Sequence, residues 1–205
     1  MRTYHPANLN ALWFLIALNV LIFVFTLLRP AAVISLLGLT PALLSQHPWT
    51  IISSMFVHDP RIWTHILFNM ISLYFLGSFL LRAAGERSFL AVFFLGGLAG
   101  NFLYFLLGYL VLRGLIPPIF GDPFIPGIGA SGAIFALGGA LAVIVPRVPV
   151  FIFFIPVPVP LWVAIIIFFL FSFLPNIAWQ AHLGGLLLGL AAGLILRTRR
   201  RIYLL

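Results

Sequence analysis

Residues 179–197 read WQAHLGGLLLGLAAGLILR. Eighteen residues pass with no formal charge until Arg197 closes the run. A bilayer-spanning helix needs ~20 mostly apolar residues, so this stretch reads as a membrane span rather than as the amphipathic helix of a soluble core. His182, Gly185, Gly189 and Gly193 are three, four and four residues apart, which puts them on one helical face. Glycines at four-residue spacing let a second backbone approach closely within a membrane. The one strongly polar group of that face, His182, therefore points at another helix and not at lipid.

The rest of the chain agrees. Of 205 residues 63% are hydrophobic and 7% charged, against ~45–50% and ~25% in soluble domains. That composition excludes a soluble enzyme, a disordered tail and a nucleic-acid module. It supplies about six spans, which we place at 11–28, 64–82, 87–112, 130–145, 161–174 and 179–197, forming one membrane domain over residues 1–205. The run from Ala11 to Leu28 is too long for a signal-peptide core and lacks a cleavage-site pattern. The fold class expected is all-α: a polytopic bundle of six transmembrane helices. Pro and Gly break the chain at 29–63, 114–129 and 147–160; the first of these segments, with Trp49 and Trp63, reads as interfacial or re-entrant.

The net charge of +8 comes from eleven Arg and no Lys. With six spans, Arg2, Arg82, Arg87, Arg147, Arg197, Arg199, Arg200 and Arg201 fall on one side, and Arg29, Arg61 and Arg113 on the other. Basic residues stay on the cytoplasmic side, so both termini are expected there. The charge thus reports topology and implies no nucleic-acid partner. Cysteine is absent, so no thiol nucleophile, disulfide or thiolate metal site is available.

In this arrangement the second, fourth and sixth spans run in parallel, and their N-terminal ends carry the polar residues: His65 to Asn69, Gly129-Ala130-Ser131-Gly132, and Gln180-Ala181-His182. Polar groups in lipid are costly and mark function. The fourth span offers Ser131, Phe135, Gly138 and Ala142 as the face that meets the glycines of the sixth. This packing brings Ser131 to His182, a hydroxyl beside a base, which is the arrangement that activates a nucleophile. The acids Asp59, Glu86 and Asp122 all lie in connections, so a Ser–His dyad is expected, held by packing instead of a carboxylate. Phe135 is either core filling or a ring laid against His182. Ser131, at a helix N-terminus, has backbone N–H groups and the helix dipole to offer an oxyanion. His65 and Asn69 share a face and serve either as oxyanion donors or as a tie to the preceding loop. His58 is read as a loop anchor by hydrogen bonding. Three His could hold zinc, but no carboxylates support them, so no metal and no cofactor are expected.

These residues carry a family resemblance. His58 followed by His65-Ile66-Leu67-Phe68-Asn69-Met70, then Gly129-Ala130-Ser131-Gly132, then Ala181-His182-Leu183-Gly184-Gly185 with Gly189, resemble the rhomboid intramembrane serine proteases over nearly the whole chain, in the six-helix form typical of prokaryotic members. The resemblance implies Ser131 as nucleophile, His182 as base, His65 and Asn69 as oxyanion donors, Phe135 stacked on His182, and Gly185 and Gly189 as helix-packing positions. It implies an endopeptidase of the prokaryotic inner membrane, with single-span membrane proteins as substrates and the lipid bilayer as its medium. The sequence departs from the family at Leu81, four residues after Gly77, where a Glu is common. It departs again at Trp49-Thr50 instead of Trp-Arg, and in the seven-residue spacing of His58 and His65. The rival readings are a small transporter or a non-catalytic relative that binds client helices.

Overall fold

The computed structural model describes residues 8–152 and 156–199. Arg2, Arg200 and Arg201, the side chain of Arg199 and the middle of the 147–160 connection lie outside the described residues.

The chain folds as a helical bundle: α1 (Asn10–Leu28), α2 (Pro30–Leu37), α3 (Thr50–Ser53), α4 (Trp63–Ala84), α5 (Glu86–Leu112), α6 (Ser131–Ile144), α7 (Leu161–Leu170) and α8 (Trp179–Arg199). Four of these, α1, α4, α5 and α8, are long and apolar enough to cross a membrane. The elements expected as fourth and fifth spans are shorter. The 14 residues of α6 reach about 21 Å at ~1.5 Å per residue, less than the ~30 Å hydrocarbon core. The 161–174 helix becomes α at Leu161–Leu170 and a 3₁₀ turn at Phe171–Phe173.

Two connections carry more structure than their Pro and Gly content suggests. Pro30 stands at the first position of α2, where its missing N–H costs nothing. Segment 29–63 continues through a 3₁₀ turn at Pro41–Leu43, then α3, then a 3₁₀ turn at Ser54–Phe56. The Trp49 indole donates to the Leu36 carbonyl (2.8 Å) and Ser53 Oγ to that of Leu37 (2.8 Å). Leu39 and Gly127 exchange backbone hydrogen bonds (3.0 and 2.8 Å), tying 29–63 to 114–129. After α6, a two-residue antiparallel ladder joins Pro149–Val150 to Val159–Pro160.

Helix α6 is the hub. It is built almost wholly of small and aliphatic residues and packs against α4, α5, α7 and α8, most extensively α8. The α6/α8 register runs Gly132 to Gly185, Ala136 to Gly189, Ala140 to Gly193. Both sequences ascend together, so the helices are parallel. The face of α6 differs from the expected Ser131, Phe135, Gly138, Ala142 stripe by one residue. Gly132, Ala136 and Ala140 receive α8, while Gly138 faces Ile165 of α7 and Leu76 of α4. The reason is size: Phe135 cannot lie between two backbones in contact, so it flanks the seam and the glycine and alanines fill it. Gly184, on the next face of α8, meets Ala99 and Gly100 of α5. At the other end of the bundle Leu81 is 4% exposed within the core, and Gly77 packs on Leu12 and Phe89. The position that often holds Glu is here an apolar contact.

Candidate active site

Ser131 opens α6. The residue two before it, Gly129, has φ +121°, and a methyl group there would stand 2.8 Å from His65 Nε2 and 3.7 Å from Ser131 Oγ. Only glycine suits both the backbone angle and the space. The Gly129 N–H donates to the Ser54 carbonyl at 2.9 Å, which fixes the turn. The first helical bond runs from the Ile134 N–H to the Ala130 carbonyl (3.0 Å). The N–H groups of Ser131, Gly132 and Ala133 are therefore outside the helical ladder, as at any helix start.

His182 comes from the first turn of α8 and is 8% exposed. Its Nε2 lies 2.7 Å from Ser131 Oγ. The two side chains sit on flanking positions of the seam, so the close approach of Gly185 to Gly132 one turn below sets their separation. The Phe135 ring lies against the imidazole, centroids 4.6 Å apart and planes at 33°. Phe169 of α7 meets Phe135 edge-on at 6.0 Å.

One partner was not legible in the sequence. Ser172, in the 3₁₀ turn after α7, places Oγ 2.7 Å from His182 Nδ1 and is 1% exposed. The sequence led to a dyad held by packing alone; the structure adds a hydroxyl at the nitrogen where a carboxylate usually stands. Ser172 sits in a phenylalanine run, ten residues from His182 and on another element, so no helical periodicity links them.

The α4 residues lie beside this pair. The His65 Nδ1 accepts the Asp59 backbone N–H at 3.4 Å, which leaves Nε2 as the protonated nitrogen. That nitrogen faces Gly129, next to Ser131. Asn69 Nδ2 donates to the His65 carbonyl at 2.7 Å, and its Oδ1 is buried without a partner. Neither side chain hydrogen-bonds Ser131 or His182 in this state. His58 does not anchor the loop through a hydrogen bond of good geometry. It is fully buried and its ring packs on His65, centroids 4.9 Å apart. Burial, with the neighbouring His65, pushes the His58 pKa down to about 3, so it is neutral at ordinary pH. At the surface nearby, Arg61 pairs with Asp59 at 2.7 Å and holds that carboxyl below its usual range. Among the described residues no group of three His, Asp or Glu side chains converges as a metal-ligand set.

Fold and site together define a class: a polytopic helical membrane protein with a serine hydroxyl on an imidazole at a buried helix N-terminus. The sequence pattern of the Rhomboid domain matches residues 45–199, and the chain belongs to the rhomboid family, known for serine intramembrane proteases. It is 30% identical over 158 residues to Rhomboid protein 1, mitochondrial, of Saccharomyces cerevisiae, covering 70% of this chain and 40% of that one. It is 34% identical over 146 residues to RHOMBOID-like protein 12, mitochondrial, of Arabidopsis thaliana, covering 66% and 43%. The chain thus matches about two-fifths of the length of these relatives. Family and apolar helices together make it an integral membrane protein.

Proposed function

We propose that the chain is an intramembrane serine endopeptidase that cuts the transmembrane segments of single-span membrane proteins. The observation that carries this reading is the 2.7 Å contact of Ser131 Oγ with His182 Nε2 at the start of α6. Ser131 attacks the scissile carbonyl carbon as its proton passes to His182 Nε2. The N–H groups of the first turn of α6 and the Nε2–H of His65 meet the developing oxyanion, with Asn69 as a further donor once substrate displaces its bond to the His65 carbonyl. The C–N bond then breaks as His182 returns the proton to the leaving amine. Water hydrolyses the acyl ester, its proton passing through His182 back to Ser131 Oγ.

The bundle supplies the setting. A helix of ~21 Å used as the fourth of six spans holds Ser131 below the membrane surface. Its opposite end lies with Arg82, Arg87, Arg147 and Arg197, and the preference of basic residues for the cytoplasmic side supports an orientation with that end and both termini in the cytoplasm, in a prokaryotic inner membrane. A substrate helix must unwind to expose its amide, so small, helix-weakening residues near the outer end of a span are favoured. The exposed Phe168 of α7, with Phe171 and Phe173 of the turn that follows it, supports a lateral route between α7 and α4; engineered cysteine cross-links between these helices are expected to slow cleavage.

The test is direct. Purified protein in mild detergent is incubated with a fluorescent reporter carrying one transmembrane segment, beside Ser131→Ala and His182→Ala. Cleavage by the parent, lost in both variants and unaffected by EDTA, supports the reading. Cleavage surviving Ser131→Ala overturns it in favour of a contaminant or another mechanism, and no cleavage across several segments overturns it in favour of a helix-binding protein.

A further inference from the structure

We infer that Ser172 is the positioning residue of His182, a reading that rests on the proposed activity and deepens it. Its hydroxyl accepts the Nδ1–H of the imidazole, which keeps the lone pair on Nε2 and aims it at Ser131.

The geometry leaves the ring little choice. A neutral imidazole carries one proton, and the two nitrogens have one partner each, both hydroxyl oxygens at 2.7 Å. Ser131 must donate to Nε2 to become a nucleophile, so Nδ1 must be the donor and Ser172 Oγ the acceptor. The third member of a hydrolytic triad fixes this tautomer and ring orientation. Here a neutral hydroxyl does so, without a buried carboxylate and its large desolvation cost. Unlike a carboxylate it does not balance a full charge on the ring, so its loss costs far less than losing a triad acid.

The placement adds a consequence. Ser131 and Phe135 belong to α6 and His182 to α8, whereas Ser172 lies in the 3₁₀ turn that follows α7. Phe169 and Phe173 continue this contact, Phe169 edge-on to Phe135 and Phe173 stacked on Trp179 at 5.8 Å. The base is therefore aligned only while the end of α7 is docked.

The experiment uses the full chain with ¹⁵N-labelled histidine, in detergent micelles. Two-bond ¹H–¹⁵N correlations report the tautomer of His182, whose signals are assigned by their loss in His182→Ala. The parent is expected to show a single Nδ1–H tautomer. Ser172→Ala is expected to show mixed tautomers and to lose about 2- to 13-fold in kcat, the scale of one neutral hydrogen bond, with KM unchanged. Ser172→Thr keeps the hydroxyl and is expected to retain tautomer and rate; Ser172→Val, of the same shape, is expected to lose both. This pair decides the matter if the alanine variant folds poorly. An unchanged tautomer in Ser172→Ala and Ser172→Val overturns the inference, whether or not the rate falls, since a fall alone marks a structural role. A parent with the Nδ1–H tautomer but no peptidase activity would sink the proposed function and leave the role of Ser172 standing.

Discussion

Gly185→Ala tests the reasoning where packing and chemistry meet. A methyl group at residue 185 would fall on the Gly132 carbonyl and lie 3.2 Å from the Gly132 Cα. The obstacle is backbone, which cannot rotate away. Helix α8 must move off α6, and it must do so one turn below His182 and beside the residue that follows Ser131. An opening of ~1 Å takes the 2.7 Å Ser131–His182 contact beyond hydrogen-bonding range. Misplacement on that scale costs on the order of 100-fold in rate, and overpacking costs ~1–3 kcal/mol in stability. Gly193→Ala supplies the control. A methyl there would stand 2.7 Å from the Ala140 carbonyl oxygen and 2.8 Å from Val143 Cβ, a milder obstacle in the same seam, about 12 Å farther along the helix. Both variants are expected to unfold at lower temperature in a thermal scan in detergent. Well below those temperatures, Gly193→Ala is expected to cleave a transmembrane reporter within a few-fold of the parent, and Gly185→Ala about 100-fold more slowly. A Gly185→Ala enzyme with parental kcat, or equal losses in the two folded variants, would refute the claim that the glycine seam sets the distance between Ser131 and His182.

Phe135→Ala removes the ring against His182 and is expected to lower kcat about 2- to 10-fold, while Phe135→Tyr, which keeps the ring, stays near the parent. Asn101 of α5 donates through Nδ2 to the Ile51 carbonyl and Ser54 Oγ (2.8 and 2.9 Å). Asn101→Ala leaves those acceptors unmet and is expected to cost ~1–3 kcal/mol, read as a lower midpoint in thermal unfolding. His58 bears on acid stability. Its pKa is about 3 when folded against 6.5 unfolded, so unfolding takes up a proton between those values. Stability is full above pH 6.5 and falls towards pH 3, by up to ~1.4 kcal/mol per pH unit from this residue. His58→Phe is expected to flatten the slope of stability against pH by up to one proton; an unchanged slope would mean His58 is not buried in its neutral form.

Much of this architecture was readable because membranes constrain sequence so tightly. Backbone groups must be satisfied inside each span, so long apolar runs located α1, α4, α5 and α8 within a residue or two. The small-residue spacing on α8 identified its partner helix and the parallel register. The matching face on α6 lies one residue from the Ser131, Phe135, Gly138, Ala142 stripe, because Phe135 keeps the helical period yet is too large for the seam and flanks it. The short helices of 29–63 were obscured by the prolines of that segment, two of which, Pro30 and Pro41, begin helical turns instead of breaking them. Ser172 was hidden for a different reason. Its relation to His182 is tertiary, made where the turn after α7 folds over the start of α8.

The absence of an acid from the site follows from the same physics that makes the bundle legible. A carboxylate at that depth would have to be desolvated, at a cost its attraction to an imidazolium offsets only with excellent geometry. The structure meets each electrostatic need with dipoles instead. Hydroxyls flank both nitrogens of His182, a helix start faces the expected oxyanion, and a backbone N–H fixes the His65 ring. Dipoles are small, so they must be close and well aimed. That explains why α6 and α8 are in backbone contact beneath the site, and why Gly129 takes a conformation that a side chain would forbid. Close packing supplies the alignment that a buried charge would otherwise enforce by its strength.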